Sequence, residues 1–191
     1  MIPSIAEIKH NITAAANFMR FNDRGLGMFE VSDNSFWKSF FAAVICLPGI
    51  YFLSVSRGSG TESTLEPVAF FVICSLFYLI EWVAFPVVMH AILVLHNKEK
   101  HFRLFVISYN WIQVCYVVFS VVLYLLKKSE ILPETTADFL GIISTFYILG
   151  TLAFLIKSTI ETRWLIACSF VFLYILLSIS VYQLNEQMLA L

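Results

Sequence analysis

The sequence predicts an all-α integral membrane protein, a bundle of five transmembrane helices preceded by a short amphipathic cytoplasmic helix. Three observations lead there. Of 191 residues, 60% are apolar and only 13% carry a formal charge, about half the share usual in soluble domains. The apolar residues collect into five stretches, each long enough to cross roughly 30 Å of hydrocarbon as a helix. The charges fall between those stretches, where a membrane helix tolerates them. A soluble domain of this length could bury one core, but it could not hide five such runs.

Residues 1–33 form a cytoplasmic segment without a span. Ile5, Ile8, Ile12 and Met19 recur at near-helical spacing, with Glu7, Lys9, His10 and Asn11 on other faces. That pattern belongs to an amphipathic helix lying on the cytoplasmic leaflet, or equally to a cap packed across the ends of the bundle. Asn11-Ile12-Thr13 matches a glycosylation sequon, inert in the cytoplasm. Arg24-Gly25-Leu26-Gly27 reads as a turn; two glycines two apart, with no strand before them, do not make a phosphate loop. Ser32 or Asp33 suits the N-cap of the first span, and Phe36 and Trp37 fall where an interfacial aromatic belt is expected. No apolar signal-peptide core precedes Phe36, so the first span is expected to act as an uncleaved signal anchor.

Residues 34–191 make the five-span membrane domain, with spans at about 36–54, 67–95, 102–126, 139–156 and 164–184. The tight linkers HNKEKH and KSTIETR imply that the helices they join are antiparallel neighbours. Nine basic residues lie on the N-terminal side: Lys9, Arg20, Arg24 and Lys38, then Lys98, Lys100 and Arg103, then Lys157 and Arg163. Arg57, Lys127 and Lys128 lie opposite. The bias places the N-terminus in the cytoplasm and the C-terminus outside. Small residues are sparse. Gly141 and Gly150, with Ser144 and Thr145 between them, make the fourth span the best candidate for close helix packing.

The most informative residue is Glu81, inside an otherwise uncharged run from 68 to 95. A carboxylate at that depth costs about 2.5–3.5 kcal/mol on insertion scales, so it needs a partner or a job. Pro86 lies five positions on and frees the Trp82 carbonyl, the usual origin of a helix kink. His90 is nine positions from Glu81, about 180° around an ideal helix, so the two form no intrahelical pair. On the third span, Asn110 and Gln113 share a face, with Tyr109 and Tyr116 nearby. Antiparallel packing makes Tyr116 or Gln113 the expected partner of Glu81, and Asn110 or Tyr109 that of His90.

Two readings of this cluster follow. In one, Glu81 is a proton or cation site in a watery crevice, with His90 on the cytoplasmic route to it. In the other, Glu81 is a protonated carboxyl in a dry interface, donating one interhelical hydrogen bond. With no basic residue, second acid or histidine chain inside the spans, the dry interface is preferred.

Nothing points to an enzyme, a cofactor or a metal centre. His90, His96 and His101 lack metal-ligand spacing, and the latter two read as solvated. Cys46, Cys74, Cys115 and Cys168 fall in four different spans, with no CxxC, and read as small buried hydrophobes. A net charge of −1 gives no reason to expect nucleic acid. Lys98, Lys100, Arg103, Lys157 and Arg163 either meet anionic lipid headgroups or only set topology.

The stretch FYILGTLAFLIKSTIETRWLIACSFVFLYILL resembles the end of the Yip family fold, the Ypt/Rab-interacting five-span membrane proteins. The matching features are an aromatic early in the fourth helix (Tyr147), a short basic turn (Lys157, Arg163) and a small residue after it (Ala167). ISYNW in the third span resembles the family's aromatic-bearing third helix. The resemblance covers residues 36–184, and the short N-terminal segment is more similar to compact bacterial relatives than to eukaryotic members. It implies a bacterial inner-membrane location, and in eukaryotic members a role in vesicle traffic through Rab GTPases. The expected function is non-enzymatic, by protein interaction or membrane organisation. The alternatives are a small transporter or channel component with Glu81, Gln113 and Asn110 on its path, and an accessory subunit of a larger membrane complex. The expected partners are membrane lipids or another integral membrane protein.

Overall fold

The computed structural model describes residues 2–56, 66–129 and 133–189, which are helical with no strand among them. The order is α1 (Ile5–Met19), a 3-10 turn (Asp23–Met28), α2 (Asp33–Ser39), α3 (Phe41–Ser56), α4 (Pro67–Leu95), a short 3-10 turn (Glu99–His101), α5 (Phe102–Lys128), α6 (Glu134–Ile160) and α7 (Trp164–Leu189). Five units are long and apolar enough to cross a membrane: α2 with α3, then α4, α5, α6 and α7. The chain is an integral membrane protein of the all-α class.

Helix α1 begins on a reciprocal cap. The Glu7 amide donates to Ser4 Oγ at 3.2 Å, and the Ser4 amide donates to Glu7 Oε2 at 2.6 Å. The Lys38 ammonium, 2.6 Å from Glu7 Oε1, ties this end to α2. Lys38, with help from Ser4, holds the Glu7 carboxyl down from the ordinary 4.5 to about 2. The helix buries Ala14, Ala15, Phe18 and Met19, whereas Ile5 is 86% exposed and Ile8 and Ile12 are half-buried. The buried stripe therefore sits nearer the C-terminal end than the isoleucine pattern suggests. Small alanines let α1 lie close on α5, and Phe18 stacks on Phe154 of α6 at 4.8 Å between centroids. Tyr147 donates to the Met19 carbonyl, and Ser158 to Asp23. Of the two readings of the N-terminal segment, the cap across the bundle is the one observed. Gly25 is required here. A Cβ at that position would lie 2.5 Å from the Phe18 amide nitrogen and 2.7 Å from the Ala14 carbonyl.

Ser32 is the N-cap of α2, its Oγ accepting from the Ser35 amide at 3.1 Å. The first span is not one continuous helix. It breaks at Phe40, and α3 then carries Pro48 in its interior. The later helices overrun their apolar stretches, α6 starting at Glu134 and α7 ending at Leu189. Backbone hydrogen bonding continues beyond the hydrocarbon edge, so hydropathy trims helix ends.

Helix α5 is the centre of the bundle. It packs against α1, α2, α3 and α6, and residues 105–112 are buried on every side. Helix α4 packs mainly on α7 and α3. The linker at 161–163 leaves α6 and α7 packed together, as antiparallel neighbours should be. The 96–101 linker does not do this for α4 and α5. Large side chains bridge those two (Phe85 to Phe105 and Tyr109, with centroids 6.0 Å apart in each case), and their backbones meet sparsely. Close packing also falls elsewhere than expected. A Cβ at Gly49 of α3 would lie 2.7 Å from Val117 Cγ1, whereas one at Gly141 would meet nothing within 4 Å and one at Gly150 only the Phe21 ring at 4.0 Å. The tight helix pair is α3 with α5.

Candidate membrane-embedded cavity

Along α4, Tyr78, Trp82, Phe85, Pro86 and Met89 form the buried face. Glu81 sits beside that face and is exposed. It lines a cavity of about 340 Å³ bounded by α3, α4, α5 and α7, with Ile148 of α6 closing one wall. The lining runs from Trp82 and Tyr109 at the inner end to Ser54, Glu186 and Leu189 near the helix ends away from α1. Glu81 is expected from the sequence against α5; the sparse α4–α5 contact leaves it bordering this cavity instead.

Gln113 and Tyr116 line the same cavity, so Glu81 and its two expected neighbours do come together. The hydroxyl beside the carboxylate is contributed by Ser178 of α7. Gln113 lies near the Tyr109 and Tyr174 hydroxyls. Tyr116 and Tyr78 turn their hydroxyls to backbone carbonyls, donating to Ile148 at 3.3 Å and to Ala43 at 2.8 Å. At the outer end stand Asn185 and Glu186, and the buried Asn185 Oδ1 has no hydrogen-bond partner. The described lining holds two carboxylates and no Lys, Arg or His.

Asn110 is elsewhere. The Trp82 indole N–H donates to Asn110 Oδ1 at 2.9 Å, Asn110 Nδ2 donates to Ser39 Oγ at 2.9 Å, and Ser39 donates to the Phe36 carbonyl. Asn110 and Ser39 are fully buried. This chain of bonds joins α4, α5 and α2 on the α1 side of the cavity. Asn110 and Gln113 therefore do not work on one face: one is consumed in the core and the other faces space. The expected His90 pairing with Asn110 or Tyr109 is absent. His90 is exposed and packs edge-on to the Phe102 ring at 4.6 Å. Pro86 is buried within an unbroken α4.

Of the basic residues assigned to lipid or topology, three have protein partners. Lys98 donates to the Ile160 and Glu161 carbonyls at the C-terminus of α6, Arg103 pairs with Asp33 at 2.7 Å, and Lys157 lies over the Trp164 ring. Lys100 and Arg163 are exposed. The cysteines are not uniformly buried: Cys46 is buried, Cys115 half-buried and Cys168 exposed, while Cys74 lines the cavity. Among the described residues no group of His, Cys, Asp and Glu is arranged to hold a metal ion.

The cavity residues of α7 were missed by sequence reasoning. A signal did exist: Tyr174, Ser178, Tyr182 and Asn185 fall at steps of four, four and three, one polar stripe on an apolar helix. Glu186 escaped because the apolar stretch ends at 184 and the helix does not.

Comparison with protein-family models, with curated proteins and with solved structures finds no match.

Proposed function

We propose that this chain is a small ligand-binding membrane protein, a transporter or channel component, whose site is the cavity at Glu81. The observation that carries this reading is an exposed mid-span carboxylate opening onto a cavity whose described lining holds no cation. A charge at this depth is tolerated where water reaches it, and small-molecule sites in bundles lie between helices. The loop charges favour a cytoplasmic N-terminus, and the Yip-family resemblance favours a bacterial inner membrane; together they make the cavity mouth periplasmic.

Cys74 provides the test. With the other three cysteines replaced by alanine, a membrane-impermeant maleimide should label Cys74 in intact spheroplasts. No labelling from either face in folded protein, with full labelling after denaturation, would overturn the reading.

A second reading is a non-enzymatic factor acting by protein interaction or membrane organisation, as the Yip-family resemblance implies. The folded cap favours it. Helix α1 is pinned by Lys38, Tyr147 and the Phe18–Phe154 stack, so this end of the bundle is a built surface and not a loose tail. A stoichiometric partner retained in mild detergent would support it, and a monodisperse lone chain would count against it.

A further inference from the structure

We infer that the cavity binds a small organic cation, an ammonium with an apolar or aromatic body; this rests on the cavity being a ligand site at all. Charge is the first argument. An anion would meet Glu81 and Glu186 with no described counter-charge in the lining, and a neutral ligand would leave both carboxylates unpaired.

The walls are the second. Tyr78 and Tyr116 have turned their hydroxyls to the Ala43 and Ile148 carbonyls, so the surface they offer the cavity is ring. Trp82 and Tyr174 add further aromatic surface. Ring faces attract cations within about 6 Å of the centroid, more strongly when water is displaced. A bare inorganic cation wants six or more oxygen ligands in tight geometry. Here the remaining wall is apolar, with Ile50, Leu53 and Val117, and no described cluster is arranged as a metal site.

Size is the third argument. A volume of about 340 Å³ is that of a small-molecule site and far exceeds what one ion fills.

The full chain in detergent, with Cys74 as its one cysteine, tests this through the rate of Cys74 labelling. Four probes at equal millimolar concentration and constant ionic strength are 2-phenylethylammonium, 2-phenylethanol, phenylacetate and sodium. The amine should slow labelling several-fold, and the alcohol, the carboxylate and sodium should not. Glu81→Gln should label at the unliganded rate, which reports an intact fold, and should lose the protection. Equal protection by the alcohol, better protection by phenylacetate or sodium, or protection that survives Glu81→Gln would overturn the inference. Labelling that no probe slows would sink the amine and leave the cavity reading standing. A thiol that never reacts until denatured would sink both.

Discussion

The two halves of this bundle solve the same problem in opposite ways. On the side of α1, polar groups are buried and satisfied: Trp82, Asn110 and Ser39 hand one hydrogen bond to the next in a core filled by Phe85, Phe105 and Tyr109. Away from α1, Glu81, Gln113 and Glu186 border open space, and Asn185 keeps an unmet acceptor. Both halves draw on α4 and α5. Asn110 and Gln113 are three residues apart on α5, which is where the filled half gives way to the open one. Polarity inside a membrane protein is thus no single signal. It can lock helices together, or it can mark where they fail to close.

The contrast can be broken by mutation, and the largest effect is expected in the filled half. Phe105→Ala removes a fully buried ring. It should cost on the order of 2–3 kcal/mol, less than in a water-soluble core because the unfolded chain in lipid is already out of water. Thermal unfolding in one detergent would measure it, and a loss no greater than that of an exposed Val87→Ala would contradict a packed half. Asn110→Leu comes next. It strands the Trp82 N–H and removes the donor to Ser39 Oγ, which keeps its own bond to the Phe36 carbonyl, for a loss of about 1–2 kcal/mol; adding Trp82→Phe should recover part of it.

The cap should respond to acid. Glu7 is held below the ordinary carboxylate range, so its contribution to docking α1 is complete above about 4.5 and is lost as pH falls through about 2. The protection factors of α1 amides, which divide out the intrinsic pH dependence of exchange, should therefore stay flat from neutral pH down to about 4.5 and fall below it. In Lys38→Ala the carboxyl loses its main support, so α1 should already be less protected at neutral pH and the acid-dependent loss should be smaller. The smallest effect on stability is expected at Glu81. Glu81→Gln should change the stability to unfolding by no more than about 0.5 kcal/mol, because an exposed carboxylate supports no core. A large loss would mean that the carboxyl holds helices together.

The five spans were legible because length and apolarity report them directly. Their ends were not, since Glu134 and Leu189 stay helical beyond the apolar window. That Glu81, Gln113 and Tyr116 come together was legible from their polarity and their positions on adjoining spans. Their surroundings were not: whether α4 and α5 close on each other depends on where α7 packs, a three-body outcome that pairwise loop-length reasoning cannot deliver. Asn110 was recognised as an intramembrane polar group, but its partner, the indole N–H of Trp82, was hidden in a residue counted as apolar. Gly49 went unnoticed beside Gly141 and Gly150 because close approach depends on the facing residue, here Val117.

The most direct test compares adjacent positions on α5 across this divide. With the native cysteines replaced, Gln113→Cys and the neighbouring Ile112→Cys, at a 1% exposed site, would be treated in folded protein with a water-soluble maleimide. Cysteine at 113 should label many times faster than cysteine at 112, and both should label alike once denatured. Equal, slow labelling of the two in the folded state would contradict an open half of the bundle, and with it the role assigned to Glu81.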